Sequence, residues 1–148
     1  MAFTIRPART GDVAAIVEML ADDPLGAARE TPGDPAYRRA FEEIASDPRQ
    51  VLVVAVVDDE VVGTLQLTRT PGLSRLGMTR ATIEAVRVRS SLRGQGLGEQ
   101  LIRWAIEEAR RRGCGLVQLT TDASRVDAHR FYERLGFKAS HVGMKLPL

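Results

Sequence analysis

The stretch IEAVRVRSSLRGQGLG, residues 83–98, decides how the rest of the chain is interpreted. Its first half is rich in β-branched residues, which favour a strand, and its second half places glycines at alternate positions, Gly94, Gly96 and Gly98. Glycine lacks a Cβ atom, so the backbone can turn tightly there and bring its N–H groups close to an anion. A helix that begins after such a turn adds unpaired amide donors and the positive end of its dipole. The stretch therefore predicts a strand, a turn and a phosphate-binding loop.

The apolar residues of this strand change parity part-way along it. Ile83 and Ala85 share one face of an extended strand, whereas Val86 and Val88 share the other. A β-bulge absorbs a slip of one residue, and bulges are frequent near active sites. We therefore expect a bulge near residues 85–87.

Length and composition are those of one folded domain. A chain of 148 residues can bury about 70% of the surface of its unfolded form, so we expect a single domain over residues 1–148. The net charge is +2 and the basic residues are dispersed, which argues against a nucleic-acid partner. The sequence has one cysteine, Cys114, and no apolar run that is long enough to span a membrane. We expect a cytoplasmic protein with no membrane association.

Periodicity and turn residues predict the element order β, α, α, β, β, β, α, β, α, β, β. Strand four, the helix after it and strand five form a right-handed crossover, which makes these two strands parallel. The predicted fold class is α/β of the α+β type, with a mixed, mostly antiparallel central sheet of about seven strands flanked by about four helices. Strands four and five are expected to be parallel and splayed. The last two strands of this prediction cover residues 137–140 and 142–146, and residues 22–33 are expected to form a loop with room for a short helical turn.

Three local patterns resemble the GNAT superfamily of N-acetyltransferases, which use acetyl-coenzyme A. Residues 93–98, RGQGLG, match the family's Arg/Gln-x-x-Gly-x-Gly/Ala pyrophosphate loop. Residues 128–137 match its Ala-x-x-x-Tyr-x-x-x-Gly-Phe helix and strand, and the Ile83-Glu84 opening of strand four is frequent among members. The element order also fits from Phe3 onward, so the resemblance covers the whole chain.

The resemblance implies a coenzyme site built from three parts. The pyrophosphate loop would consist of Arg93, Gly94, Gln95, Gly96, Leu97 and Gly98. The backbone of Val86 and Val88 would pair with the pantetheine arm where strands four and five splay apart. Arg125 stands where many members have an asparagine that contacts the coenzyme, so that contact is open, and the arginine would be able to meet a phosphate instead.

The resemblance also implies acetyl transfer to an amine, with Tyr132 as the general acid that protonates the departing thiolate. An amine with a pKa of about 10.4 is almost fully protonated at neutral pH, so a base or a water relay must remove its proton. Glu84 is the best candidate for the base, because it lies on the strand that is expected to hold the thioester. Two alternatives stay open: Glu84 as a solvated carboxylate or a partner of Arg87 or Arg89, and Tyr132 as a core aromatic residue.

The expected acceptor is a small molecule with a primary amine, because the chain is compact and has no evident insertion that would dock a peptide. An amino acid, a polyamine, an aminoglycoside and a protein N-terminus or lysine all stay open. Residues 22–30 border the acceptor site in the family, which makes four of them candidates for its lining: Asp22, Asp23, Arg29 and Glu30.

Acetyl-coenzyme A is the expected cosubstrate and no metal is expected, since neither His129 nor His141 has a partner at metal-ligand spacing. Family members often form dimers through their last strands, so the resemblance also allows a homodimer.

Two other classes of function fit parts of the sequence. A dinucleotide-binding oxidoreductase also has a glycine turn between a strand and a helix, but Glu99 stands here where that motif requires glycine or alanine. A catalytically silent acyl-coenzyme A binding module would share the loop and the bulge, and the presence of Tyr132 and Glu84 weighs against it. We therefore predict an N-acetyltransferase.

Overall fold

The central sheet has five strands in the order β1-β2-β3-β4-β5 in a computed structural model that describes residues 2–148. The strands are β1 (Thr4–Pro7), β2 (Gln50–Val57), β3 (Glu60–Thr70), β4 (Arg80–Val88) and β5 (Leu116–Leu119). Neighbours from β1 to β4 pair antiparallel, whereas β5 runs parallel to β4. The prediction that strands four and five are parallel is confirmed.

Six helices surround the sheet within the described residues. They are α1 (Val13–Ala21), α2 (Pro24–Arg29), α3 (Ala36–Ser46), α4 (Ser74–Gly77), α5 (Leu97–Arg111) and α6 (Val126–Arg134). Short 3-10 turns at Thr10–Asp12 and Ser90–Leu92 precede α1 and α5.

Different helices cover the two faces of the sheet. On one face, Leu65 of β3 and Ile83 of β4 are buried in a cluster with Leu101 of α5. On the other face, Val54 of β2 is fully buried, and α1 and α3 contact the strands. Side chains of β4 therefore point either toward α5 or toward the side that carries α1 and its neighbour α2.

The C-terminal part of the predicted sheet is wrong. Residues 137–148, which contain both predicted final strands, have no strand in the structure. Val142, Met144 and Leu146 have between 83% and 92% of their surface exposed, so their apolar alternation is not buried against a partner. The sheet has five strands rather than about seven for this reason.

The structure also has two helices more than predicted, α2 and α4. Helix α2 forms in the predicted loop, because Oδ1 of Asp23 accepts a hydrogen bond from the amide of Gly26 and Pro24 takes the first helical position. A Cβ atom at Gly26 would collide with the carbonyl oxygen of Leu20 at the end of α1. Glycine at this position thus lets α2 pack closely on α1, and this packing fixes Asp23 in place.

Strand β4 continues beyond its parallel partner. Its residues 80–83 pair with β5, and its later residues pair with β3 alone among the described strands. One edge of residues 84–88 is therefore open, as the predicted splaying of strands four and five requires.

Candidate active site

The glycine loop lies between β4 and α5. Gly94 and Gly96 have φ angles of 80° and 82°, in the left-handed region that residues with a Cβ atom rarely adopt. A Cβ atom on either glycine would meet no other atom within 4 Å, so the backbone conformation, rather than crowding, requires glycine. Gly96 is the N-cap of α5, and it offers no side chain to the amides of the first turn. These amides and the dipole of a 15-residue helix can receive an anion.

Arg93 leads into this loop and contacts the turn between α1 and α2. Its Nη2 donates a hydrogen bond of 3.2 Å to the carbonyl oxygen of Asp22 and lies 3.7 Å from Oδ2 of the same residue. Both side chains are 51% exposed, so this ion pair is weak. Arg93 can exchange it for another anion at low cost.

Ala85 forms the predicted bulge. Its φ angle is 54°, and the pairing with β3 jumps from Glu84 opposite Gln66 to Arg87 opposite Thr64. Two residues of β4 thus stand opposite one residue of β3, which is the definition of a bulge. The parity change in the sequence is confirmed as a bulge at the predicted place.

The bulge directs the next three side chains to different faces. Val86 and Val88 pack against the apolar cluster on the α5 side. Arg87 points to the other face, where it meets Asp23. The backbone of these residues lies on the open edge of β4, where a pantetheine arm can pair as an extra strand.

A cleft of about 800 Å³ opens along this edge. Four predicted site residues line it: Val86, Val88, Arg93 and Arg125. Three other parts of the prediction lie outside its wall: Tyr132, Glu84 and residues 94–98. The structure thus brings the bulged strand and two arginines together around one cavity.

One carboxylate joins two arginines in the wall of this cleft. Oδ2 of Asp23 accepts a hydrogen bond of 2.8 Å from Nη2 of Arg125 and lies 3.8 Å from Nε of Arg87. The side chains of Asp23 and Arg87 are only 17% and 15% exposed. Burial acts to raise the pKa of Asp23, but the hydrogen bond from the Gly26 amide and the two arginine charges outweigh it, and the pKa is lowered. Asp23 is therefore ionised at neutral pH.

Arg87 is only partly satisfied by its neighbours. Its Nη1 donates a hydrogen bond of 2.9 Å to the carbonyl oxygen of Val86, whereas its Nε is buried without a hydrogen-bond partner. Burial lowers the pKa of Arg87 and the charge of Arg125 adds to this effect, while Asp23 opposes it. A buried donor without a partner costs free energy, so an anion that reached Arg87 would be favoured.

Tyr132 lies in α6 between two aromatic rings. Its ring makes T-shaped contacts with Phe131 and Phe137, at centroid distances of 5.1 and 5.8 Å. Burial raises the pKa of Tyr132, and the charges of Arg87 and Arg125 partly offset the rise. The hydroxyl group is therefore protonated at neutral pH, as a general acid must be.

Glu84 is exposed and lies directly before the bulge. The two arginines that were considered as its partners pair elsewhere, Arg87 with Asp23 and Arg89 with Glu18. The interpretation of Glu84 as a partner of either arginine is wrong. Its carboxylate is left accessible at the point where the strand opens.

Arg87 is a charged residue of this cleft that the sequence did not single out as functional. In the sequence it stands between two valines of a strand and gives no motif. The one indication in the sequence is the parity change of residues 83–88, which predicts a bulge and so a side chain of Arg87 that points away from the core. Its partner Asp23 was among several charged candidates, and the sequence does not distinguish it from Asp22.

The described residues contain no group of three side chains that could hold a metal ion. No helix within residues 2–148 is long and apolar enough to cross a membrane.

A bulged strand that leads into a glycine loop and a helix, in a sheet with one parallel pair of strands, is typical of transferases that bind acyl-coenzyme A. The model of the acetyltransferase (GNAT) family matches residues 13–137. The chain belongs to this family, and it is an acyltransferase that uses acetyl-coenzyme A. The predicted family is confirmed.

Two N-acetyltransferases are similar to this chain. Aminoalkylphosphonate N-acetyltransferase of Salmonella typhimurium is 41% identical over 106 residues, which cover 72% of this chain and 68% of that enzyme. Glucosamine 6-phosphate N-acetyltransferase of Trypanosoma brucei brucei is 39% identical over 88 residues, 60% of this chain and 58% of that enzyme.

A crystal structure from Bacillus halodurans C-125 is similar over almost the full length. That protein is described as a transcriptional regulator, is 55% identical and has a TM-score of 0.96, with 99% of this chain and 100% of that chain covered.

Proposed function

We propose that the protein transfers the acetyl group of acetyl-coenzyme A to the primary amine of a small molecule, by direct attack in a ternary complex. The observation that carries this proposal is the continuous segment from the bulge at Ala85 to the uncapped start of α5 at Gly96. It offers strand backbone to a pantetheine arm and free amides to a pyrophosphate. The relatives that act on an aminoalkylphosphonate and on glucosamine 6-phosphate support a small amine as the acceptor.

The residues of this segment fit the coenzyme. In this proposal the amides of residues 94–98 and the charge of Arg93 hold the pyrophosphate, and the open edge at Val86 and Val88 receives the pantetheine arm. Arg125 adds a positive charge from the start of α6, in the same cleft wall. One continuous segment thus supplies both the groups that bind phosphate and the strand backbone that pairs with pantetheine, and this supports the assignment.

Two residues move protons in the proposed reaction. The coenzyme supplies a thioester, whose carbonyl carbon the amine attacks, so that a C–N bond forms and the C–S bond breaks. Glu84, directly or through one water, accepts the proton that the amine loses. Tyr132 donates its hydroxyl proton to the departing sulfur, and the raised pKa of Tyr132 keeps that proton in place until it is needed.

Release of free thiol with a panel of small amines tests this function. We expect thiol release that depends on the amine. When both substrates are varied, double-reciprocal plots of the initial rate should give intersecting lines, because both substrates must be bound before transfer. Parallel lines would indicate an acetylated enzyme and contradict direct attack. A preference for peptide N-termini or lysines over every small amine would assign the protein to the protein N-acetyltransferases.

The alternative is a module that binds acyl-coenzyme A without transferring the acetyl group. The description of the 55% identical Bacillus halodurans protein as a transcriptional regulator is the observation that favours it. Tight binding of acetyl-coenzyme A together with thiol release that no amine accelerates would support this alternative.

The predicted homodimer and the cytoplasmic location stay predictions from the sequence. Light scattering on the eluting peak of a gel-filtration column measures the mass in solution and tests the first of them.

A further inference from the structure

Arg87 has more hydrogen-bond donors than its neighbours use. A guanidinium group carries five N–H donors, yet Nη1 of Arg87 donates to a backbone carbonyl and the buried Nε donates to nothing. Asp23 lies 3.8 Å from this Nε, and the same carboxylate is held more closely by Arg125, at 2.8 Å, and by the amide of Gly26. The counter-charge of Arg87 is therefore shared among three donors.

Other charges around Arg87 do not make up for this shared partner. Burial lowers the pKa of Arg87, and Arg125 and Arg29 both lower it further. Asp127, the other carboxylate in the cleft wall, is exposed to solvent in the first turn of α6. The surroundings of Arg87 thus favour the arrival of an anion.

Arg87 points to the face of β4 that lies opposite α5. The residues on both sides of it, Val86 and Val88, pack on the α5 side, and α5 is the helix that the glycine loop opens. Arg87 instead meets Asp23 at the start of α2. An anion bound there would lie on the face opposite the helix whose first turn receives the pyrophosphate, which favours the acceptor over the coenzyme as its source.

The positive charge of Arg87 acts on the hydroxyl group of Tyr132. Burial raises the pKa of Tyr132, and the charge of Arg87 is the largest influence that opposes it. In the proposed reaction the thioester lies along the open edge of β4, and Arg87 lines the cleft on that same edge. An anion on Arg87 and the attacking amine would fit within one small molecule.

We propose that Arg87 binds an anionic group of the acceptor, so that the substrate class is a small primary amine that also carries a phosphonate, phosphate, sulfonate or carboxylate. This inference rests on the proposed N-acetyltransferase function. The planar fork of a guanidinium matches such oxyanions with two parallel hydrogen bonds. Polyamines and aminoglycosides, which carry only positive charges, are disfavoured at the same position.

Five amines with a common two-carbon chain test the inference: aminoethylphosphonate, taurine, β-alanine, ethanolamine and ethylenediamine. We expect kcat/KM to be at least about 10-fold higher for the best anionic amine than for ethylenediamine. Arg87→Gln is expected to raise KM for that anionic amine by about 10- to 100-fold, a larger change than the same variant makes to KM for ethanolamine. Arg103→Gln is the matched control, because Arg103 pairs with Glu99 on the exposed face of α5.

Two results would overturn the inference. The first is equal or better kcat/KM with ethylenediamine, which would show that the acceptor needs no anion. The second is a loss of coenzyme A affinity in Arg87→Gln as large as the loss for the anionic amine, which would assign Arg87 to the coenzyme phosphates. If the glutamine variant does not fold, Arg87→Lys replaces it, because lysine keeps the charge without the planar guanidinium group. KM for the anionic amine and the affinity for coenzyme A are then compared in the same way.

Binding without turnover separates this inference from the proposed function. If no amine is acetylated, the proposed function fails, and calorimetric titration of aminoethylphosphonate into the protein with coenzyme A bound then decides the inference. Binding by the wild-type protein that Arg87→Gln loses supports the anion site. No binding by the wild-type protein contradicts it.

Discussion

Arg125 and Asp23 lie 102 residues apart in the sequence, and Nη2 of Arg125 donates a hydrogen bond of 2.8 Å to Oδ2 of Asp23. The other oxygen of this carboxylate accepts the amide of Gly26 and so caps α2. With Arg87 of β4 as a third neighbour, one carboxylate joins α2, β4 and the start of α6. The two walls of the cleft are thus held together through a single side chain.

Asp23→Asn separates the two tasks of this carboxylate. Asparagine is as good an N-cap as aspartate, so α2 keeps its cap, while Arg87 and Arg125 lose their counter-charge. We expect the free energy of unfolding to fall by about 1–2 kcal/mol at neutral pH, because a largely buried charge is left without its partner. Urea denaturation measures this loss.

An added anion should restore part of that stability. We expect aminoethylphosphonate to raise the melting temperature of Asp23→Asn more than that of the wild-type protein, because the ligand replaces the missing charge. Asp23→Ala, which also loses the cap, should be less stable than Asp23→Asn by about a further 1 kcal/mol. Equal stabilities of the alanine and asparagine variants would show that the cap contributes nothing.

Asp12→Asn is expected to remove a pH-dependent part of the stability. The carboxylate of Asp12 accepts hydrogen bonds of 2.7 and 3.1 Å from Arg6 and one of 2.7 Å from the amide of Arg9. The hydrogen bond from Arg6 is the main cause of the lowered pKa of Asp12, and burial opposes it. A carboxylate whose pKa is lower in the folded state stabilises the protein at pH values above its ordinary pKa of about 3.9. This stabilisation is lost as the pH falls through the pKa of the folded state.

The test compares the two proteins at neutral and acidic pH. We expect Asp12→Asn to lower the free energy of unfolding by about 1–3 kcal/mol at pH 7 and by progressively less as the pH falls through the lowered pKa of Asp12, where the wild-type carboxylate becomes protonated. Glu43→Gln is the control, because Glu43 is exposed on α3. A difference between wild type and Asp12→Asn that stays constant with pH would contradict the assignment.

The bulge could be predicted from the sequence because it is a local feature. The parity change between Ala85 and Val86 lies within one strand, and only a slip of one residue places Ile83, Val86 and Val88 on the same α5 face. The glycine loop is local in the same way, since the φ angles at Gly94 and Gly96 depend on residue type. The proposed coenzyme site rests on these two features.

The features that the sequence did not predict depend on distant partners. Apolar alternation in residues 137–148 is compatible with a strand, but a strand needs a neighbour with which to pair, and alternation does not identify one. The ion pair of Arg87 joins β4 to the start of α2, and no pattern along the chain marks it.

Ala85→Gly is expected to leave the stability unchanged or to raise it by up to about 1 kcal/mol. A positive φ angle costs a residue with a Cβ atom about 1–2 kcal/mol of stability. Glycine avoids this cost, but the greater freedom of its unfolded chain lowers the free energy of unfolding by about 0.5–1 kcal/mol. The same change in an exposed helix, Ala40→Gly in α3, should destabilise by about 1 kcal/mol. Urea denaturation of both variants measures the contrast, and equal losses would argue against the left-handed conformation of Ala85.

Tyr132→Phe is expected to lower kcat by about 100-fold or more and to change the dissociation constant of coenzyme A by less than about twofold. The ring contacts with Phe131 and Phe137 do not involve the hydroxyl group, so the variant should fold normally. Because burial raises the pKa of Tyr132, the wild-type rate should show no fall due to this group below about pH 10. Tyr37→Phe is the control, since Tyr37 bonds Glu30 and the amide of Thr31. An unchanged kcat for Tyr132→Phe would remove this residue from the mechanism.

Glu84→Gln tests whether this exposed carboxylate is the base. A base is needed only while the amine is protonated, so its loss should matter most at neutral pH and least near the amine pKa of about 10.4. We expect kcat/KM for the amine to fall by about 100-fold at pH 7, with a loss that shrinks steadily toward pH 10. Glu42→Gln, on the exposed face of α3, should match the wild type throughout. A small loss that does not vary with pH would leave proton removal to water, with Glu84 as a solvated residue of β4.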